Sequence, residues 1–325
     1  MAGAEGGDIE RAVRVLRAGG LVAFPTETVY GLGADAENAG AVARIFAVKG
    51  RPANHPLIVH IGATSGLDDW AAEVPEAARH LAAHFWPGPL TLVVRRNRRV
   101  PLAVTGGLET VGLRVPAHPM ALALLSAFGG GIAAPSANRF GAVSPTTARH
   151  VREGLGDAID FVLDGGPCAV GVESTIVDVT GEAPAILRPG GVTREDLELA
   201  LARSLPVEAS ESVRAPGQHP LHYAPRANVV LVEPKEILAE ARRLQREGRR
   251  VGLLLPTSSS SPQHPDIPHA MIVIPESMVE YARRLYGFLR DLDDRGCDVI
   301  VASLPGEAGL GLAIADRLRR AAGPR

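Results

Sequence analysis

Strand-length apolar runs separated by helix-length stretches recur along almost the whole chain, and that alternation leaves few folds open. "LVAFPT" (21–26), "PLIVHI" (56–61), "LTLVVRR" (90–96), "TVGLRVP" (110–116), "GIAAPSA" (131–137), "FVLDGG" (161–166) and "STIVDVT" (174–180) each read as one strand. Helices fit between them. Asp8 can cap one over Ile9 to Ala18 that Gly19-Gly20 ends, Asn38 can cap one through Val48, and 75–85 starts with a proline. Further helices fit 119–127, 146–153 and 193–202. The mixture predicts an α/β domain with a sizeable mixed sheet.

The rhythm breaks from Leu205 to Arg226, where four prolines interrupt "LPVEASESVRAPGQHPLHYAPR". His222-Tyr223 is unusual for a spacer in a chain with 4% aromatic residues, so the segment reads as a linker or a docking arm. It then changes to "VVLVE" (229–233), "VGLLLP" (251–256), "AMIVIP" (270–275) and "DVIVAS" (298–303), alternating with helices over 235–247, 277–293 and 309–321. Continuous apolar strands of this kind predict a smaller parallel, doubly wound domain, with a polar loop at 257–268. The expected layout is a domain over 1–204, an arm over 205–227 and a second domain over 228–325, and 325 residues suit two cores.

A formal net charge of −2 excludes a global attraction to nucleic acid or anionic membrane. Cys168 and Cys297 stand far apart, without zinc-type spacing, and exclude a disulfide framework. The first residues lack a basic and apolar leader, and no apolar run approaches the ~20 residues that span a bilayer, so the chain reads as soluble and cytoplasmic.

Chemistry-bearing residues gather at strand ends. "FPTETVYGLG" (24–33) offers Thr26, Glu27 and Thr28, with Gly31 and Gly33 allowing close approach or positive φ. "KGRP" (49–52) contains one of the chain's two lysines; Lys49 and Arg51 suit either a helix stop or an anion clamp. "APSANRFGAVSPT" (134–146) suits a nucleotide cradle through Ser136, Asn138 and Ser144, or a polar turn with a helix start at 144–146; it is not a Walker A loop. Arg114, inside an apolar strand, requires an anionic partner, which could be an internal carboxylate. Small polar strand ends with isolated cations suit positioning and charge stabilisation of a phosphate-bearing substrate rather than covalent catalysis. "GEAGLGLAIADRLRR" (306–320) is a helix start with glycines, for packing or for phosphate.

FPTETVYGLGADA, KGRPANHPLIVHI, WPGPLTLV, GLRVP, APSAN, ESTIVDVT and ILRPGG, in this order, resemble the YrdC family, and PGQ…HYAP with the C-terminal α/β domain resembles its long form. The resemblance implies a twisted mixed sheet with a concave cavity. It also implies a nucleotidyltransferase that makes L-threonylcarbamoyladenylate and pyrophosphate from L-threonine, bicarbonate or CO2, and ATP with Mg²⁺. The product would pass to the tRNA threonylcarbamoyl transferase machinery, with a weak contact to tRNA left open. Carried over, Lys49 and Arg51 are the catalytic residues and hold ATP phosphates, together with His55, Thr110, Ser136, Asn138, Ser144, Arg188 and Tyr223. Thr28, His60, Arg114, Ala134 and Ser174 are implied to take threonine, Arg114 by its carboxylate; no metal ligand is implied. The rival functions are an RNA-binding module without catalysis and carbamoyl transfer in hydrogenase maturation, which two isolated cysteines do not equip the chain to perform.

Overall fold

The computed structural model describes residues 2–207, 216, 222–257 and 269–323. Most of the expected arm, Gln218 included, and nearly all of the polar loop 257–268 lie outside the described residues. The chain divides into two compact units, Met1–Phe140 with Ser144–Gln218, and His219–Arg325 with the short segment Gly141–Val143.

The first unit is built on β1 (Val22–Phe24), β2 (Gly31–Asp35), β3 (Ile58–His60), β4 (Ala71–Glu73), β5 (Leu90–Arg96), β6 (Thr110–Arg114), β7 (Ile132–Ala133), β8 (Phe161–Val162), β9 (Thr175–Asp178) and β10 (Ala185–Arg188). They form one sheet in the order β10-β9-β5-β6-β3-β7-β2-β1-β8, with β4 on β5. Pairing is mixed: β3/β6, β5/β9 and β1/β8 run parallel and the rest antiparallel.

Side chains alternate between faces along a strand, and cross-strand partners share a face. One face carries Ala23, Leu32, Ala34, Val59, Ala133, Leu92, Leu113 and Val177, all in the main apolar core. The registers put Phe24, Ile132, Ile58, His60, Gly112, Arg114, Thr91, Val93 and Ile176 on the other face. The helices Ala2–Arg17 and Pro119–Phe128 pack there only against the end that carries Val22, Phe24, Ile132 and Ala134. Over β3, β6, β5 and β9 the same face has just the small cluster Ile58, Val93, Ile176 and Leu187, and between these sit polar side chains. That stretch of sheet carries the site.

Sequence reading misses β2, β4 and β10. Gly31 and Gly33 are strand residues without positive φ. A Cβ on Gly33 would stand 2.7 Å from Ile132 Cγ2 and 2.8 Å from Phe24 Cε1, so close approach is what requires glycine there. Asp8 lies inside the helix Ala2–Arg17 rather than capping it. The helix expected from Ser144 starts later, at Ala148, where Thr147 accepts from the His150 N–H.

The second unit holds β11 (Asn228–Leu231), β12 (Val251–Pro256), β13 (Ala270–Ile274) and β14 (Val299–Ala302), all parallel in the order β11-β14-β12-β13. The helix Ile237–Arg246 packs its Ile237, Ala241 and Leu244 on Val251, Leu253, Val299 and Val301. Gly252 faces the other way, where a Cβ would meet Leu292 Cδ2 of the helix Met278–Asp294 at 3.0 Å. Helices on both faces make this the expected doubly wound layer.

Candidate active site

The site is assembled by loops that the backbone stitches to one another. The segment after β1 receives N–H bonds from Val170 to the Glu27 carbonyl (2.7 Å) and from Gly171 to that of Thr28 (3.2 Å). The Tyr30 N–H donates to Pro145 (2.9 Å), and the Ala137 N–H donates to the Tyr30 carbonyl (2.8 Å). Two stretches far apart in sequence, the 134–146 loop and Val170–Gly171, thus meet Thr26–Tyr30.

Arg114 ends β6 beside His60 at the end of β3. Its Nη2 donates to Glu27 Oε1 (2.7 Å) and Thr28 Oγ1 (3.0 Å), and its Nε to the Gly88 carbonyl (3.3 Å). Among the described residues Nη1 has no protein acceptor. Thr28 accepts from Arg114 and donates on to Thr26 (2.8 Å), whose hydroxyl is committed to the Val29 carbonyl (2.6 Å). Arg114 and Glu27 are 4% and 8% exposed, so this ion pair is buried. His60 is buried too, edge-on to Phe24 at 5.7 Å. Burial, with the Arg114 charge second, lowers its pKa to about 3, so the ring is neutral at working pH. Among the described residues its Nδ1 has no hydrogen-bond partner. Ala134 lies alongside, its N–H on the Ile58 carbonyl (2.9 Å).

A second group extends over β9 and β10. Arg188 Nη2 donates to the Ser174 carbonyl (2.8 Å) and Oγ (3.2 Å), and Ser174 Oγ shares a hydrogen bond with Thr91 (2.8 Å). Arg188 Nη1 reaches the Pro216 carbonyl (2.9 Å), in the stretch expected to be the arm. Gly190 permits the fold-back, because a Cβ there would stand 2.3 Å from the Glu173 carbonyl. Ser144 donates to Glu173 Oε1 (2.6 Å).

The third group is Lys49. Asn38 caps its helix, Ala39–Lys49, and Gly50 closes it at φ +63° with its N–H on Ala47 and Phe46. KGRP is therefore a helix stop in its backbone. The lysine side chain does something else: it is 3% exposed, and Nζ donates to the carbonyls of Ser136 (2.6 Å) and Asn138. No carboxylate partners it among the described residues. Burial first, and Arg51 second, hold its pKa well below the usual lysine value. Arg51 Nη2 donates to the Pro56 carbonyl (3.0 Å), and its guanidinium lies 5.8 Å from the Phe140 ring, which His55 meets edge-on at 5.5 Å.

The structure thus gathers Thr28, His60, Arg114 and Ala134 in one group, Ser174 with Arg188 in another, and Lys49 with Ser136 and Asn138 in a third. Thr110 shares the Arg114 face but starts β6, four residues or about 13 Å away. Tyr223 belongs to the second unit, where it stacks on Tyr286 (5.8 Å) under the Arg317 guanidinium (4.9 Å). Glu27, Glu173 and Thr91 bond to Arg114, Ser144 and Ser174, and motif reading left them without a role; Glu27 was visible as a side-chain oxygen in PTET, whereas Thr91 has no signal apart from strand parity.

A family model of the Sua5, YciO and YrdC proteins, described as telomere recombination, matches residues 14–190. The chain belongs to that family. A second model, described as the threonylcarbamoyl-AMP synthase C-terminal domain, matches residues 192–323. The threonylcarbamoyl-AMP synthase of Pyrococcus abyssi is 44% identical over 98% of this chain and 94% of its own length. That of Bacillus subtilis is 42% identical over 98% and 93%. The crystal structure of P. abyssi Sua5 complexed with L-threonine superposes with a TM-score of 0.91 at 43% identity, covering 97% of this chain and 94% of that one. No helix among the described residues is long and apolar enough to cross a membrane.

Proposed function

We infer that this member of the Sua5/YciO/YrdC family is a threonylcarbamoyl-AMP synthase, acting on L-threonine, bicarbonate or CO2, and ATP. The observation that carries it is that the first unit buries two cations with donor capacity left over among the described residues, Arg114 and Lys49. Among the described residues Arg114 Nη1 has no acceptor and could take a carboxylate, and Lys49 is buried on carbonyls with no carboxylate partner. A buried cation without a counter-charge is unfavourable until an anion arrives.

In this assignment Arg114 takes the threonine carboxylate, and Thr28, His60, Ala134 and Ser174 shape the rest of that pocket. Lys49 and Arg51 hold the phosphates of ATP, and His55, Thr110, Ser136, Asn138, Ser144, Arg188 and Tyr223 its remainder. The threonine amine adds to CO2 and loses a proton, giving a carbamate. A carbamate oxygen attacks the α-phosphorus in line, and the bond to the β-phosphate oxygen breaks as pyrophosphate leaves. Lys49 meets the growing negative charge as a preorganised donor. An anion beside Lys49 favours its protonated form.

Among the described residues no three His, Cys, Asp or Glu side chains converge, so Mg²⁺ would enter on the ATP phosphates rather than in a protein cage. Bound there, it neutralises phosphate charge. The arm over 205–227 closes on the site in this scheme, which the bond from Arg188 to Pro216 supports. The product serves the tRNA threonylcarbamoyl transferase machinery of the cytoplasm. The test is pyrophosphate release from ATP. It should require both L-threonine and bicarbonate, and release without either would refute the assignment.

A further inference from the structure

We propose that Glu27 sets the site's selectivity for an amino acid over a simple carboxylate. The proposal rests on the assignment of Arg114 to the threonine carboxylate. Two neutral acceptors, the Gly88 carbonyl and the Thr28 hydroxyl, already fix the Arg114 guanidinium. A carboxylate is not needed for that, and burying an ion pair is costly to stability. Glu27 therefore contributes charge. Its Oε1 accepts from Arg114 and its Oε2 from the Ala117 N–H (3.0 Å), two of about four lone-pair positions that a carboxylate offers.

The pair is net neutral, with a free cationic donor at Nη1 and spare anionic acceptor capacity on Glu27. An amino-acid zwitterion has the same two charges, its ammonium one carbon away from its carboxylate. With the carboxylate on Nη1, the ammonium comes to the Glu27 side, and both charges are matched. A hydroxy acid or fatty acid has only the negative charge and would leave the buried site net negative.

The experiment is calorimetric titration of the full chain with L-threonine and with 3-hydroxybutyrate, which is threonine without its amino group. The wild type should bind threonine at least tenfold more tightly, about what one charge-assisted hydrogen bond supplies. Glu27→Gln should lose roughly ten- to hundredfold in threonine affinity while 3-hydroxybutyrate binds as well as before or better. Equal weakening of both ligands by Glu27→Gln would mean a merely structural role and overturn the proposal. So would a wild type that binds the two ligands alike, a result that needs no variant to fold. A wild type that binds neither ligand refutes the Arg114 assignment itself.

Discussion

The two units are both helix-covered sheets, yet they differ in how many polar side chains they bury. In the second, the buried polar side chains among the described residues are His222, Ser303 and Arg317. Arg317 is accounted for locally: it pairs with Asp316 at 2.5 Å and lies over the Tyr223 ring. In the first, Glu27, Thr28, Lys49, Arg51, His60, Arg114, Asn138, Glu173, Ser174 and Arg188 are all buried, at strand and helix ends and in the loops beside them. Several have capacity left over, as in Arg114 Nη1, His60 Nδ1 and the Lys49 ammonium. The difference follows from layer coverage. Helices pack on both faces of the parallel sheet, with Met271 and Val273 of its edge strand β13 left exposed, whereas the mixed sheet leaves part of one face to polar side chains. A dense gathering of buried polar groups with donors to spare is the pattern a ligand site requires.

Substitutions can break that contrast. Arg317→Ala removes a fully buried cation from its pair and should lower stability by about 3–5 kcal/mol, with KM for threonine unchanged. Chemical denaturation beside steady-state kinetics checks this, and a lost threonine KM at normal stability would make the second unit part of the pocket. Lys49→Ala should reverse the pattern, lowering turnover about 10²–10³-fold while denaturation midpoints barely change. Gly33→Ala tests the scaffold beneath the site: the clash with Ile132 and Phe24 should cost about 1–3 kcal/mol of stability, read from the urea midpoint. A further effect concerns pH. His60 is held neutral in the fold with a pKa of about 3, against about 6.5 when unfolded. The unfolded chain therefore binds the extra proton between these values, and stability should fall as pH drops below about 6.5. Replacing His60 with Gln should flatten that limb of the stability profile.

Much of this was legible in the sequence. The apolar runs specified the parallel layer almost strand by strand, because a strand buried on both faces is continuously apolar. Asn38 and Gly50 announced the ends of their helix through cap chemistry. The β2 strand was hidden because Gly31 and Gly33 read as turn residues, and only the neighbouring Phe24 and Ile132 side chains show why they are glycines. Arg114 declared its need for an anion, but not which one; Glu27 stands 87 positions away, and the stitching around Thr26–Tyr30 brings it there. Lys49 showed its rarity, but not that its ammonium is enclosed by the carbonyls of the 134–140 loop.

The central claim is that the first unit has two separate anion receptors, Arg114 for threonine and Lys49 for ATP. Its most direct test is to measure both dissociation constants in Arg114→Gln and in Lys49→Ala. The account predicts a crossed result, with threonine affinity lost in the first and ATP affinity lost in the second, each by about tenfold or more. If each variant lost both ligands equally, the two-receptor account would be contradicted.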